Sequence, residues 1–235
     1  MNEASSGSGS AGATWCVLVA AGAGERLGGG RPKAFVGLGG RPLLAESLER
    51  LDASDWIDAI VVAAPPGWEE PAILLAEELG AAKVAACVPG GDTRSGSVRA
   101  GLAEVPEDAE VVLVHDAARP LLPPGLVEQL LEALAEGFDG AVPGLPVLDT
   151  IKRVADGVVT ETPSREALVA VQTPQAFAAR ALRAAAAGEG SDCASLVEAN
   201  GGRVKVVPGD ERLLKVTTTA DLARVEALLA AEVRE

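Results

Sequence analysis

Along the first 145 residues, short unbroken apolar runs alternate with longer segments in which apolar residues return every three or four positions. The runs Cys16–Ala20, Ala59–Ala63, Val84–Val88, Val111–His115 and Gly140–Pro143 predict strands. They are apolar almost throughout, which is the pattern of strands covered on both faces. Between them, Pro42–Leu51, Glu69–Leu79, Ser95–Ala103 and Gly125–Ala135 predict helices. In the last of these, Leu126, Leu130, Leu131 and Leu134 share one helical face.

This alternation predicts an α/β fold: a Rossmann-like open, mostly parallel twisted sheet with helices on both faces and right-handed crossovers. The rhythm breaks after Leu145. The segment PVLDTIKRVADGVVTETPSREALVAVQTPQAF has β propensity and a turn signal at Ala155-Asp156-Gly157, and it contains no long helical stretch. It predicts a β-hairpin arm over about 146–172, projecting from the sheet. Helices are expected at Ala178–Ala187 and Ser191–Glu198, and strands at Val204–Val207 and Leu213–Val216. A last helix starts near Thr219, with Thr-Ala-Asp-Leu as its N-terminal cap and Leu222, Val225, Leu228 and Leu229 facing inward. The expected organisation is a disordered leader over 1–13 and a single domain over 14–235.

Composition narrows the function. A formal net charge of −14 over 235 residues argues against nucleic acid as a partner. It also means that any anion site is built locally from a few cations. Three dispersed cysteines and a single histidine do not make a Cys/His zinc site, and an odd, unframed cysteine count fits a reducing cytoplasm. The small, polar opening MNEASSGSGSAGA lacks the pattern of a secretory signal. No apolar run approaches the ~18 residues of a membrane span, so no membrane partner is expected.

The chemistry concentrates in LVAAGAGERLGGGRPKAF, residues 18–35, where five glycines follow a strand and sit beside Arg26, Arg31 and Lys33. Glycine lets backbone approach a ligand closely, and cations beside exposed N–H groups suit an anion. A Walker loop needs Gly-Lys, and the chain has no such pair. The dinucleotide fingerprint fails too: Gly22, Gly24 and Gly28 are spaced one residue too long, and no acidic residue closes the second strand. What remains is A-A-G-x-G-x-R-L followed by R-P-K, with backbone for phosphates and two cations for moving charge.

This loop, with PGGDTRSGSV (89–98), VHDAARP (114–120), PVLDTIKR (146–153), VQTPQAF (171–177), SDCASLVE (191–198) and LLKVTT (213–218), resembles the 2-C-methyl-D-erythritol 4-phosphate cytidylyltransferase family of the non-mevalonate isoprenoid pathway. The resemblance runs in order over roughly residues 15–230. It implies transfer of cytidylyl from CTP to an alditol phosphate, with Mg²⁺ as cofactor, in a homodimer joined through the arm. A fused downstream cyclase domain is not expected. Two other readings stay open: a cytidylyltransferase for another acceptor such as ribitol 5-phosphate, and a non-catalytic nucleotide-binding protein of the same fold.

The resemblance implies roles residue by residue. Arg26 and Lys33 match the catalytic pair, while Arg31 matches nothing and reads as a solvated cation. Ala20, Ala21, Gly22, Gly24, Gly91, Asp92, Ser97 and Lys215 match CTP contacts; Asp92 and Ser97 alternatively cap the following helix. Asp116, Arg119, Thr150, Arg165, Thr173 and Ser191 match acceptor contacts. Asp116 is the candidate side-chain ligand of a metal held otherwise by phosphates and water. Arg165 is expected to reach the neighbouring subunit's site, Arg94 to support its loop, and His115 to be structural. Leu214 stands where the family commonly has a polar side chain.

Overall fold

The structure, a computed structural model, describes residues 12–24, 27, 30–188 and 190–232. Of the expected leader, residues 1–11 lie outside the described residues. Ala13 is tied to the domain: its carbonyl accepts from Glu110 N at 3.2 Å.

The chain runs β1 (Thr14–Val19), β2 (Gly37–Leu38), β3 (Arg41–Pro42), α1 (Leu43–Asp52), β4 (Ala59–Ala64), α2 (Glu69–Leu79), β5 (Val84–Pro89), α3 (Arg94–Ala103), β6 (Val111–Asp116), α4 (Leu126–Ala135) and β7 (Gly140–Pro146). It continues through β8 (Arg153–Ala155), β9 (Val158–Glu161), β10 (Val169–Val171), β11 (Gln175–Ala178), α5 (Ala179–Ala185), α6 (Cys193–Ala199), β12 (Val204–Pro208) and α7 (Thr219–Glu232).

The main sheet has eight strands, in the order β10-β7-β11-β6-β1-β4-β5, with β12 added to β7. Pairs β1–β4, β1–β6, β4–β5 and β7–β12 are parallel. The four-residue β11 enters antiparallel between β6 and β7, so the sheet is mixed. The expected strand Leu213–Val216 does not form. Residues 211–213 make a 3-10 turn and 214–217 have no ladder. Their backbone is used otherwise: Val216 N donates to Ala118 O at 2.8 Å.

Alternation inside continuous apolar strands fills two cores. Cys16, Leu18, Ile60, Val62 and Leu113 point to the layer that holds α1, α2 and α4. Val17, Val61, Val112 and Val114 point to the layer of α3, α5 and α6. Register puts Val17 beside Val61 on one side and Val114 on the other. Each such side chain withdrawn from water contributes about 1.5–3 kcal/mol. Gly101 lets α3 close onto β1, since a Cβ there would lie 2.5 Å from Val17 Cγ1. A third cluster of Leu38, Leu43, Leu121, Val216 and Val225 seats α7, with Leu222, Leu228 and Leu229 packed against it as expected. The cap of α7 is Thr218, one residue earlier than expected. Asp221 N donates to Thr218 Oγ1 at 3.2 Å, and Thr218 N donates back to Asp221 Oδ2 at 2.8 Å.

The arm leaves β7, turns between β8 and β9, and returns as β10. Asp156 (φ 50°) and Gly157 (φ 78°) give its tip the double positive-φ turn that suits hairpin twist. Among the described residues nothing covers it: Val154, Val158, Val159 and Leu148 are all exposed, Leu148 to 80%.

Candidate active site

Chain direction splits at β1, because β4 lies on one side and β6 on the other. Open α/β sheets bind ligands at the carboxyl ends of strands that flank such a split. A cleft of about 400 Å³ opens there, walled by residues 19–23, Lys33, residues 91–94, Ser97, Asp116 and Lys215.

The first wall is the glycine loop. Ala20 N extends the β1 ladder to Ala63 O at 2.9 Å, and the loop then turns back so that Lys33 N donates to Gly22 O at 3.1 Å. Gly24 has φ +73°, and a Cβ on it would sit 2.8 Å from Lys33 Cβ. Both conditions require glycine. The loop thereby places the Lys33 backbone against the peptides of residues 22–24.

The second wall is the turn from β5 into α3. A Cβ on Gly91 would lie 2.8 Å from the Gly96 carbonyl carbon. Thr93 caps α3 by accepting from Gly96 N at 3.0 Å. The helix cap is therefore neither Asp92 nor Ser97, and both line the cleft. Ser97 Oγ faces two carbonyls, Thr93 O at 3.1 Å and Gly91 O at 3.3 Å. Its single proton is thus engaged, and its lone pairs remain for a donor.

The floor is Asp116, at the end of β6. Arg94 Nε holds one carboxylate oxygen at 3.0 Å, and Lys215 Nζ holds the other at 2.7 Å. Burial alone would raise this carboxyl. The charges of Arg94 and Lys215, and their hydrogen bonds, outweigh it and hold the group well below the usual carboxylate range. Arg94 does more than support its own loop, as it also contacts Cys193 Sγ at 3.5 Å.

Behind the floor, Arg119 N donates to Asp116 O at 2.9 Å, and Arg119 Nη1 donates to Leu213 O at 2.5 Å. Thr173 Oγ1 accepts from Asp116 N at 3.0 Å. The Leu213 bond, with Val216 N donating to Ala118 O, anchors the backbone on either side of Lys215 without help from Leu214, whose apolar side chain packs on the third cluster.

The expected residues divide accordingly. Ala20, Ala21, Gly22, Lys33, Gly91, Asp92, Ser97, Asp116 and Lys215 line the cleft. Gly24 backs Lys33, and Arg119 and Thr173 back Asp116. Arg26 lies outside the described residues. Ser191 is exposed, two residues before α6. Thr150 and Arg165 are exposed on the arm, and Arg165 Nη1 donates to Leu148 O at 2.6 Å. Pro66 also lines the cleft, and no sequence pattern marks it. Among the described residues, no cluster of three or more His, Cys, Asp and Glu side chains is arranged to hold a metal ion. Among the described residues, Asp92 and Asp116 are the carboxylates in the cleft wall.

The fold and the glycine-loop cleft define a nucleotidyltransferase of the open α/β type. The family model for IspD, 2-C-methyl-D-erythritol 4-phosphate cytidylyltransferase, matches residues 14–231, and the chain belongs to that family. It is 48% identical to the enzyme of that name from Nocardia farcinica, over 93% of this chain and 94% of the relative. It is also 48% identical to the one from Frankia casuarinae, over 91% of this chain and 80% of the relative. The crystal structure of the Thermus thermophilus enzyme superposes with a TM-score of 0.73 at 38% identity, over 91% of this chain and 98% of the other.

Proposed function

We propose that the chain transfers the cytidylyl group of CTP to 2-C-methyl-D-erythritol 4-phosphate. The products are 4-diphosphocytidyl-2-C-methyl-D-erythritol and pyrophosphate, in isoprenoid precursor synthesis. The observation that carries this reading is the pinning of Lys33 against a glycine loop that faces the cation-clamped Asp116 across one cleft. Pyrophosphate release from CTP tests it.

An acceptor phosphate oxygen attacks the α-phosphorus, one P–O bond forms, and the bond to pyrophosphate breaks. A phosphate monoester has a second pKa of about 6 and arrives ionised at neutral pH, so no protein base is needed. The protein supplies position and charge. The peptides of Ala20, Ala21, Gly22 and Gly24 cradle the triphosphate, while Lys33 and Arg26 neutralise the charge that builds on it. Gly91, Asp92 and Ser97 take the cytosine and ribose, with the Ser97 lone pairs suited to an amino donor. Lys215, released from Asp116, meets phosphate. Asp116, Arg119, Thr173 and Ser191 form the acceptor side.

Mg²⁺ suits this cleft in its usual manner, bound by one or two carboxylates together with substrate phosphates. Asp116 is the candidate ligand, with Asp92 on the opposite wall. When bound, the ion neutralises phosphate charge. The arm joins two copies: its uncovered apolar side chains are the support, and Thr150 and Arg165 act in the partner's cleft. The chain works in the cytoplasm, supported by three free thiols. Among the described residues, no helix is long and apolar enough to cross a membrane.

A further inference from the structure

His115 is the only histidine in the chain and is fully buried. It contacts neither the cleft nor solvent, yet both ring nitrogens have partners that belong to the site. Nδ1 lies 3.1 Å from Thr173 Oγ1, and Nε2 lies 3.0 Å from Arg119 O.

The protons in this chain are determined. Arg119 O is a carbonyl and only accepts, so Nε2 carries a hydrogen. Thr173 Oγ1 already accepts from Asp116 N, and the second contact of that hydroxyl is Nδ1, which faces it as an acceptor. The Thr173 hydroxyl therefore donates to Nδ1. Its lone pairs accept from Asp116 N at 3.0 Å. One directed path results: Asp116 N–H to Thr173 O–H to His115 to Arg119 carbonyl. Arg119 N closes it by donating to Asp116 O at 2.9 Å, and the adjacent Ala118 O holds Val216 N at 2.8 Å, next to Lys215.

We infer that His115 is a positioning residue that holds Asp116 and Arg119, on the acceptor side of the cleft, in register. This rests on the cytidylyl-transfer reading. The requirement is a donor and an acceptor on opposite sides of one rigid, neutral, buried group. Imidazole meets it. A carboxamide carries both on a single carbon, so asparagine reproduces only the Nδ1 side and glutamine only the Nε2 side. Thr173 accordingly acts on Asp116 and His115, its one proton being engaged before any substrate arrives.

The experiment uses the full chain as wild type, His115→Asn, His115→Gln and Ile60→Ala. The last is a core truncation at the far end of β4, chosen to lose stability away from the cleft. Rates are measured well below each unfolding temperature. Both His115 variants are expected to lower kcat/KM for the acceptor phosphate by roughly 10- to 100-fold. CTP affinity, read by calorimetric titration, stays near wild type in both. Ile60→Ala loses unfolding temperature and keeps its kinetics. Separately, ¹⁵N NMR of the wild type reads one imidazole, expected to be bare at Nδ1 and protonated at Nε2, with slow Nε2–H exchange. Wild-type kinetics in folded His115 variants overturn the inference, and so does equal loss toward CTP and acceptor. A ring protonated on Nδ1 overturns it even where the variants do not fold. Absence of any transfer by the wild type, with the expected tautomer, refutes the activity and leaves the wiring intact.

Discussion

Lys215 Nζ lies 2.7 Å from Asp116 Oδ2, although the two residues are 99 positions apart in sequence. Arg94 holds the other oxygen, so this carboxylate is the electrostatic centre of the cleft. Removing it leaves two neighbouring cations without their partner. Breaking a buried pair costs about 3–5 kcal/mol, and the 39% exposure of Lys215 moves the expectation to the lower end. Asp116→Ala is expected to lose about 3 kcal/mol in denaturant unfolding and at least 100-fold in kcat/KM. An unchanged unfolding midpoint contradicts the clamp.

Lys33 is placed for charge that develops during reaction. Lys33→Ala is therefore expected to lower kcat about 100-fold or more and to change CTP affinity far less. A large loss of CTP affinity with kcat preserved makes Lys33 a ground-state clamp instead.

The arm gives a mixing prediction. Arg165→Ala and Lys33→Ala homodimers are each expected to be nearly inactive. If Arg165 serves the partner's cleft, a heterodimer has one intact site and one site lacking both groups. Equal mixing with random exchange then restores up to about a quarter of wild-type activity per subunit. A flat mixing curve, with exchange confirmed by mass spectrometry, places Arg165 in its own subunit's site.

Asp221 gives a stability prediction with a sign. Side-chain and backbone donors of Thr217 and Thr218 converge on Oδ2, the Thr217 hydroxyl at 2.6 Å, and hold the carboxyl well below its ordinary range. A depressed carboxylate stabilises the fold above its unfolded pKa of about 3.9, and that contribution fades as pH falls through the folded pKa. Asp221→Ala is expected to cost about 1 kcal/mol near pH 7. The gap to wild type should narrow in acid. A gap that is constant or widens toward low pH contradicts the capping account.

Much of this architecture was legible in sequence, for a physical reason. β1, β4 and β6 are buried on both faces and read as unbroken apolar runs, and α4 shows its leucines at helical spacing. β11 was not legible, because Gln-Ala-Phe-Ala has no period and its place between β6 and β7 is set by distant partners. Leu213–Val216 looked like a strand and is not one, since Ala118 and Arg119 engage its backbone before any ladder does. Motifs located Lys33, Asp92, Asp116 and Lys215. They did not disclose that Arg94 reaches Asp116 or that His115 joins Thr173 to Arg119, because side-chain direction depends on packing. Thr150 and Arg165 are exposed on the arm and do not line their own cleft.

The central claim is cytidylyl transfer at this cleft. The direct measurement is pyrophosphate release by the purified chain with CTP and Mg²⁺, comparing 2-C-methyl-D-erythritol 4-phosphate, ribitol 5-phosphate and no acceptor. The account predicts rapid release with methylerythritol phosphate, little with ribitol phosphate, none without acceptor, and loss of the signal on chelating the metal. Folded protein that releases no pyrophosphate above blank with methylerythritol phosphate across several pH values would contradict it.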